Sequence, residues 1–392
     1  MRNMIVAPQP IAVEEGAKVL MAGGNAVDAA VVCAFVQSIV SPHSCGIGGY
    51  ALLTLHKDGR RLALDAPALA GSLVTPDMWV DKVIQPNPDG WGFFLEDKVN
   101  DVGYRSICTP GMVRGLATIL ERWGTLSWAQ ALEPAIRVAE EGFVVGEDLA
   151  MGWKAKAKYP QGASLYDYLC SNAEASRIYL HADGTPYDAG ETLRNPDYAR
   201  TLRRLADGGP EEMYHGALAG EIANDLAANG AFVTADDLAA YASRDVPPVV
   251  GTYRDWTIVT SPPPHGGPTL VAALHILEGY DLAAMEHNSP DYIYLVSMAM
   301  KAAFADRNPY LGDPEFIEVP LEWMISKERA AMWRRRIDAG EPISVSFVPN
   351  GPPDTTHVSV VDEQGTCVAL THSLGSSSGV ITPDLGFMYN NS

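Results

Sequence analysis

Asp354-Thr355-Thr356-His357-Val358-Ser359-Val360-Val361 is followed, after Asp362-Glu363-Gln364-Gly365, by Thr366-Cys367-Val368-Ala369-Leu370-Thr371-His372-Ser373. Two β-rich runs flank a turn signal, which predicts a hairpin. A three-residue loop ending with Gly365 in the left-handed conformation pairs Asp362 with Thr366. In that register Thr355 lies opposite Ser373 and His357 opposite Thr371. The pairs Val358/Leu370 and Val360/Val368 point to the other, apolar face. A two-residue loop would slip the ladder by one, set His372 against Thr355 and invert both faces. The bulged register is preferred. Hydroxyls on one face and aliphatics on the other also describe any half-buried sheet, because strands favour threonine.

The chain has 392 residues, 47% of them hydrophobic, which is enough to bury a large core in one or two domains. Its 36 glycines and 28 prolines suit a loop-rich enzyme better than a repeat or a coiled coil. A net charge of −20 would repel phosphate backbones and anionic membranes, so nucleic-acid and membrane partners are not expected. No apolar run is long enough to span a bilayer. The N-terminus passes into Pro8 and Pro10 without the apolar region of a signal peptide. Five scattered cysteines without a CxxC pair read as reduced thiols, hence a cytoplasmic location.

Along the chain, the periodicity predicts helices over residues 11–22 and 29–39, the second apolar nearly all round and capped by Asn25 or Asp28. A hairpin follows, residues 50–56 returning as 61–65 through Asp58-Gly59. Helices are expected over 111–123 and 129–141. The latter carries a Ser127/Gln130 capping box and a Gly142 stop, with a kink at Pro134 unless the helix begins near there. Residues 149–216 show little periodicity. Beyond them a helix over 235–242 capped by Thr234, strands within 252–260, a rigid Pro262-Pro263-Pro264-His265-Gly266-Gly267 loop and a helix over 269–277 are expected. A last long helix, 292–307, should stop at Pro309.

Several chemistries can be weighed. The nine histidines never fall in a metal-ligand spacing, so no metal and no cofactor are expected. Ser44-Cys45-Gly46-Ile47-Gly48-Gly49 matches no phosphate-loop spacing, and close backbone packing explains its glycines. Gly375-Ser376-Ser377-Ser378-Gly379 formally fits a nucleophile elbow, but the segment after it contains Pro383 and Gly386 and does not read as a helix. A third possibility is an N-terminal threonine. A hydroxyl needs a base, and an α-amine, titrating near ~7.7–8.0, can serve once the bond before Thr355 is cut. Before that cut, Thr355 Oγ would attack the Asp354 carbonyl, with Pro352-Pro353 stiffening the approach and Ser373 supporting the hydroxyl. His357 and Thr371 would be supporting polar groups on the same face.

The Asp-Thr-Thr-His-x-Ser-Val-Val-Asp motif resembles the autoprocessing junction of the γ-glutamyltranspeptidase family. Further blocks in the same order are similar to that family: Gly23-Gly24-Asn25-Ala26-Val27-Asp28-Ala29-Ala30, Pro42 to Gly49, Thr109-Pro110-Gly111, Ala139 to Phe143, Ile276 to Asp281, and Lys301 to Arg307 with Tyr310 to Pro314. The resemblance implies an α/β (α+β) fold, the N-terminal-nucleophile four-layer αββα sandwich with extra helices. It implies a precursor cut into a large-subunit segment, 1–354, and a small-subunit segment beginning at 355, the two remaining associated as an αβ heterodimer. Thr355 would be nucleophile and base, and Ser373 stands where the family has a supporting threonine.

The departures concern the substrate. The family's carboxylate-binding arginine follows a Leu-Asp strand end, and here Leu64-Asp65 leads into Ala66-Pro67-Ala68. Gly375 replaces a substrate-binding asparagine. Ser392 stands where Glu or Gln holds the substrate amine. Pro67, Gly375 and Ser392 are therefore the candidate substrate-binding positions, with a pocket altered from that for a zwitterionic glutamyl head. The expected activity is cleavage of a small-molecule amide, γ-glutamyl or another acyl amide, with transfer to water or an amine. An unprocessed, non-catalytic ligand-binding relative is the alternative. The chain also ends before the glycine pair that forms the family's oxyanion hole, so a C-terminal remainder is expected elsewhere.

Overall fold

Strand polarity alternates throughout the central sheet, and the hairpin of residues 355–373 lies within it. The computed structural model describes residues 3–88, 92–345 and 355–391. Strands β1 (Met4–Val6), β2 (Tyr50–Lys57), β3 (Arg60–Ala66), β4 (Arg244–Val246), β5 (Thr355–Val361) and β6 (Cys367–Ser373) form one six-stranded sheet in the order β1-β5-β6-β2-β3-β4. Every neighbouring pair is antiparallel. The β5–β6 register is the expected one, Thr355 opposite Ser373 and His357 opposite Thr371. The turn explains it. Gly365 has φ +84°, a conformation open to glycine, and the Asp362 N–H donates to the Thr366 carbonyl at 3.1 Å. The Asp362 carboxylate also accepts from the N–H groups of Gln364 and Thr366.

Four helices back the sheet and its surroundings: α1 (Pro10–Met21), α2 (Ala26–Val40), α3 (Met112–Trp123) and α4 (Trp128–Glu141). Helix α2 lies across β5 and β6, and α3 across β2 and β3. All fifteen residues of α2 are buried, because α1 and α4 cover the sides the sheet does not. Beneath the helices, Val358, Val360, Val368, Leu370, Leu53, Leu55 and Leu64 are none of them more than 2% exposed. At ~1.5–3 kcal/mol per buried aliphatic side chain, this face is what holds the sheet to the helices. On the opposite face Thr355, His357, Ser359, Cys367 and His56 are exposed, and Tyr50, Leu52, Ala369 and Thr371 half-buried.

Several local expectations are corrected. Helix α2 begins at Ala26, not Ala29, because Asn25 caps it by accepting from the N–H groups of Val27 and Asp28. Asp28 completes the capping box and also accepts from Thr125 and Leu126, fixing the turn between α3 and α4. Helix α4 runs unbroken through Pro134, held by the Ser127/Gln130 box. Residues 149–216, which showed little periodicity, contain helices including α5 (Pro196–Gly208), whose buried Tyr198 and Leu202 join the main core.

Helix α6 (Gly267–Leu277) ends before Gly279, as expected. Helix α7 (Pro290–Tyr310) includes Pro309 in its last turn instead of stopping before it. It packs with α8 (Lys327–Asp338) in a second core around Ile276, Ala302, Trp333 and Ile337. No described helix is long and apolar enough to cross a membrane, and all five cysteines are free.

Candidate active site

Thr355 begins β5 and is exposed, while its ladder partner Ser373 ends β6 and is buried. Their hydroxyl oxygens are 3.1 Å apart, and Ser373 Oγ accepts from the Gly375 N–H at 3.0 Å. The backbone around Ser373 is held from below. The Leu374 N–H donates to the Ser44 carbonyl at 3.0 Å, and a Cβ on Gly49 would collide with the Ser373 carbonyl oxygen. Close backbone approach is what this glycine loop provides.

His357 shares the exposed face with Thr355, but both its ring nitrogens are engaged elsewhere. Nδ1 meets Thr371 Oγ1 at 2.8 Å and Nε2 meets Ser359 Oγ at 3.0 Å. Desolvation holds this imidazole below its ordinary pKa. With both nitrogens bonded to hydroxyls, His357 makes no hydrogen bond to Thr355. A base for the Thr355 hydroxyl therefore has to come from another group.

The substrate-binding candidates fall on two sides of this rung. Gly375 is two residues past Ser373 and bridges to Asn391. Asn391 is anchored in turn by donating to Asp101 Oδ1 at 2.9 Å, and the Asn390 side chain is spent on Gly48 and Cys108. Pro67 extends β3 past Ala66, which pairs with Ala51, and so lies level with Tyr50 and Ser373. Three strand spacings, about 14 Å, separate it from Thr355. Its carbonyl is taken by the Tyr241 hydroxyl at 2.6 Å. Ser392, Asp354 and the loop from Pro349 to Pro353 lie outside the described residues.

Two polar arrangements escaped the sequence reading. His265, in the proline-rich loop, meets Asp65 with Nε2 3.2 Å from Oδ2, while the buried Asp65 Oδ1 has no protein donor. The loop itself was legible, but nothing local links residues two hundred positions apart. The second is the wholly buried Gln37, which bonds to both Thr356 and His372 beneath the sheet. It was hidden inside a helix that reads as uniformly apolar.

Taken together, the geometry offers an exposed threonine hydroxyl at a strand start, a buried hydroxyl in bonding distance and a rigid floor. That arrangement suits nucleophilic acyl transfer once a base is supplied.

A family-wide sequence profile described as gamma-glutamyltranspeptidase matches residues 12–392. The chain is 32% identical over 400 residues to the glutathione hydrolase proenzyme of Escherichia coli (strain K12), covering all of this chain and 66% of that one. It is 34% identical to the acylase ACY 1 proenzyme of Pseudomonas sp. (strain V22), covering all of this chain and 69% of that one. It is also 34% identical to the glutathione hydrolase proenzyme of Pseudomonas sp. (strain A14), of which it covers 64%. The chain thus spans slightly less than two thirds of the two glutathione hydrolases. Among solved structures, the cephalosporin acylase of Bacillus halodurans superposes with a TM-score of 0.82 at 28% identity, over 100% of this chain and 69% of that one. The gamma-glutamyltranspeptidase of Helicobacter pylori does so with a TM-score of 0.75 at 29% identity, over 89% of this chain and 93% of that one.

Proposed function

This chain belongs to the gamma-glutamyltranspeptidase family, with the N-terminal-nucleophile hydrolase fold, and from that premise we propose that it is an autoprocessing threonine amidohydrolase. The observation that carries the reading is the 3.1 Å contact between Thr355 Oγ and Ser373 Oγ at an exposed strand start. In the precursor, Thr355 Oγ adds to the Asp354 carbonyl carbon and the peptide C–N bond breaks, converting amide to ester as the nitrogen takes up a proton. Water then cleaves the ester, leaving a carboxylate on Asp354 and a free α-amine on Thr355. The proenzyme names of the relatives fit this division into residues 1–354 and a second segment from 355, held together as a heterodimer.

In turnover the Thr355 α-amine accepts the hydroxyl proton as Oγ attacks the substrate amide, and the leaving amine receives that proton. An acyl-enzyme ester forms and passes to water or an amine. Ser373 supports Oγ through its hydrogen bond. For the acyl group, two features favour an acylase-like specificity over a zwitterionic glutamyl head. No arginine follows Asp65, and the Pro67 carbonyl is already occupied by Tyr241. Free thiols fit a reducing compartment such as the cytoplasm.

Intact-mass spectrometry of the full-length protein, with and without Thr355→Ala, tests the proposal. The expected result is two fragments in the wild type, the second beginning at Thr355, and one chain in the variant, with amidase activity reduced more than about 10⁴-fold. An intact wild-type chain, or an active T355A, would overturn it. A panel of γ-glutamyl and simple acyl anilides then ranks the substrates.

A further inference from the structure

The face of the hairpin turned away from solvent carries a polar cluster that no step above uses. On the rung next to Thr355/Ser373, Thr356 pairs with His372, and both side chains point toward helix α2. Gln37 of that helix reaches both strands with one amide group. Its Nε2 donates to Thr356 Oγ1 at 2.8 Å and to Gln9 Oε1 at 2.6 Å, and its Oε1 accepts from His372 Nε2 at 2.9 Å. Thr356 Oγ1 in turn donates to Gln9 Oε1 at 3.2 Å. Gln37 and His372 are 0% exposed and Thr356 2%. Because Gln37 Oε1 only accepts, the imidazole is held with its proton on Nε2, and its buried Nδ1 has no partner.

A glutamine in this position is costly unless it does something an aliphatic residue could not. Buried polar groups left unpaired are destabilising, so the cluster enforces one arrangement of the two strands. The same helix grips the other end of the hairpin, where its first residue, Ala26, donates its N–H to Asp362 Oδ2 at 3.1 Å. From Ala26 to Gln37 the helix rises about 16 Å, and from Thr356 to Asp362 the strand extends about 20 Å. Helix and hairpin are thus joined at two points a similar distance apart, one at the turn and one beside the reactive rung.

We infer that Gln37 is a positioning residue for the nucleophile: by tying Thr356 and His372 to α2 it keeps Thr355 Oγ and Ser373 Oγ within bonding distance. The inference rests on the reading of Thr355 as nucleophile. Displacements well under the width of an atom at a reacting hydroxyl reduce rate without altering substrate binding, so the effect belongs in kcat.

The test uses the full-length protein with Gln37→Met, similar in length and without the amide. Cleavage before Thr355 is followed by intact mass, kcat and KM are measured on matured enzyme with a chromogenic amide, and folding is checked by urea titration. The expected result is slower self-cleavage and a kcat lower by about 10- to 100-fold with KM within about twofold. Thr356→Val, which cuts one arm of the cluster, should lower kcat by about tenfold and serves should Q37M not fold, while His372→Gln, which can still donate to Gln37 Oε1, should retain most of the activity. Wild-type cleavage and kcat in folded Q37M or T356V, or a change confined to KM, would overturn the inference. The underlying reading fails separately, by an active T355A or an uncut wild type.

Discussion

At the residue scale, the role proposed for Ser373 rests on its hydroxyl. Its Oγ accepts from the Gly375 N–H and sits 3.1 Å from Thr355 Oγ, so it can pass a hydrogen bond to the proposed nucleophile while itself held in place. Ser373→Ala should therefore fold normally and lower kcat by roughly 10- to 100-fold, the worth of one hydrogen bond to a reacting oxygen. Steady-state rates on one amide substrate check this, and an unchanged kcat would remove Ser373 from the site. His357 is placed differently. Its motif position suggests chemistry, yet its two hydroxyl partners leave it a structural role on the exposed face. The pairing of Thr355 with Ser373 was legible because strand register follows from one turn. The engagement of His357 with Ser359 was not, because rotamer choice depends on neighbours the ladder does not specify.

At the element scale, Asp362 ends β5, and its carboxylate accepts from Gln364, Thr366 and Ala26. It closes the turn and receives the first N–H of α2 at once, so hairpin and helix share one anchor. Asp362→Ala should cost about 2–4 kcal/mol, since it leaves three backbone donors short of a partner in a buried setting. A shift in urea midpoint with unchanged m-value would show this. Self-cleavage should slow as well, because the strand carrying Thr355 loses its fixed end. The capping box at Ser127/Gln130 and the Thr234 cap were readable from the sequence, whereas the return bond from Asp237 that completes a second box was not. The continuation of α7 through Pro309 was not, because the local steric penalty was outweighed by packing along the rest of the helix.

At the scale of the whole molecule, the charge of −20 and the buried imidazoles respond to acid in opposite ways. Burial pushes His372 down to about 3 and His43 to about 4, so the folded protein keeps both neutral where the unfolded chain protonates them. Stability from these groups is complete above the ordinary histidine value of ~6.5 and is lost as pH falls from there toward 4. His372 alone should contribute up to about 1.4 kcal/mol of loss per pH unit in that window. Relief of negative self-repulsion offsets part of it. Urea titrations at pH 7.5 and 5.5 should give a lower midpoint at 5.5, and His372→Gln should flatten the difference. The same pH dependence in His372→Gln as in the wild type would mean that His372 is not held neutral.

The hairpin register and the starts of the strongly periodic helices were determined by the sequence alone, because each depends on interactions within a few residues: a glycine with left-handed backbone, a cap three positions from its partner, an alternation of period two. Tertiary structure decided which polar groups meet. Gln37 with Thr356 and His372, His265 with Asp65, and Asp362 with Ala26 join positions far apart in the chain. Those pairings are selected by the cost of leaving a polar atom alone in a dry interior, a quantity that exists only once the layers have packed.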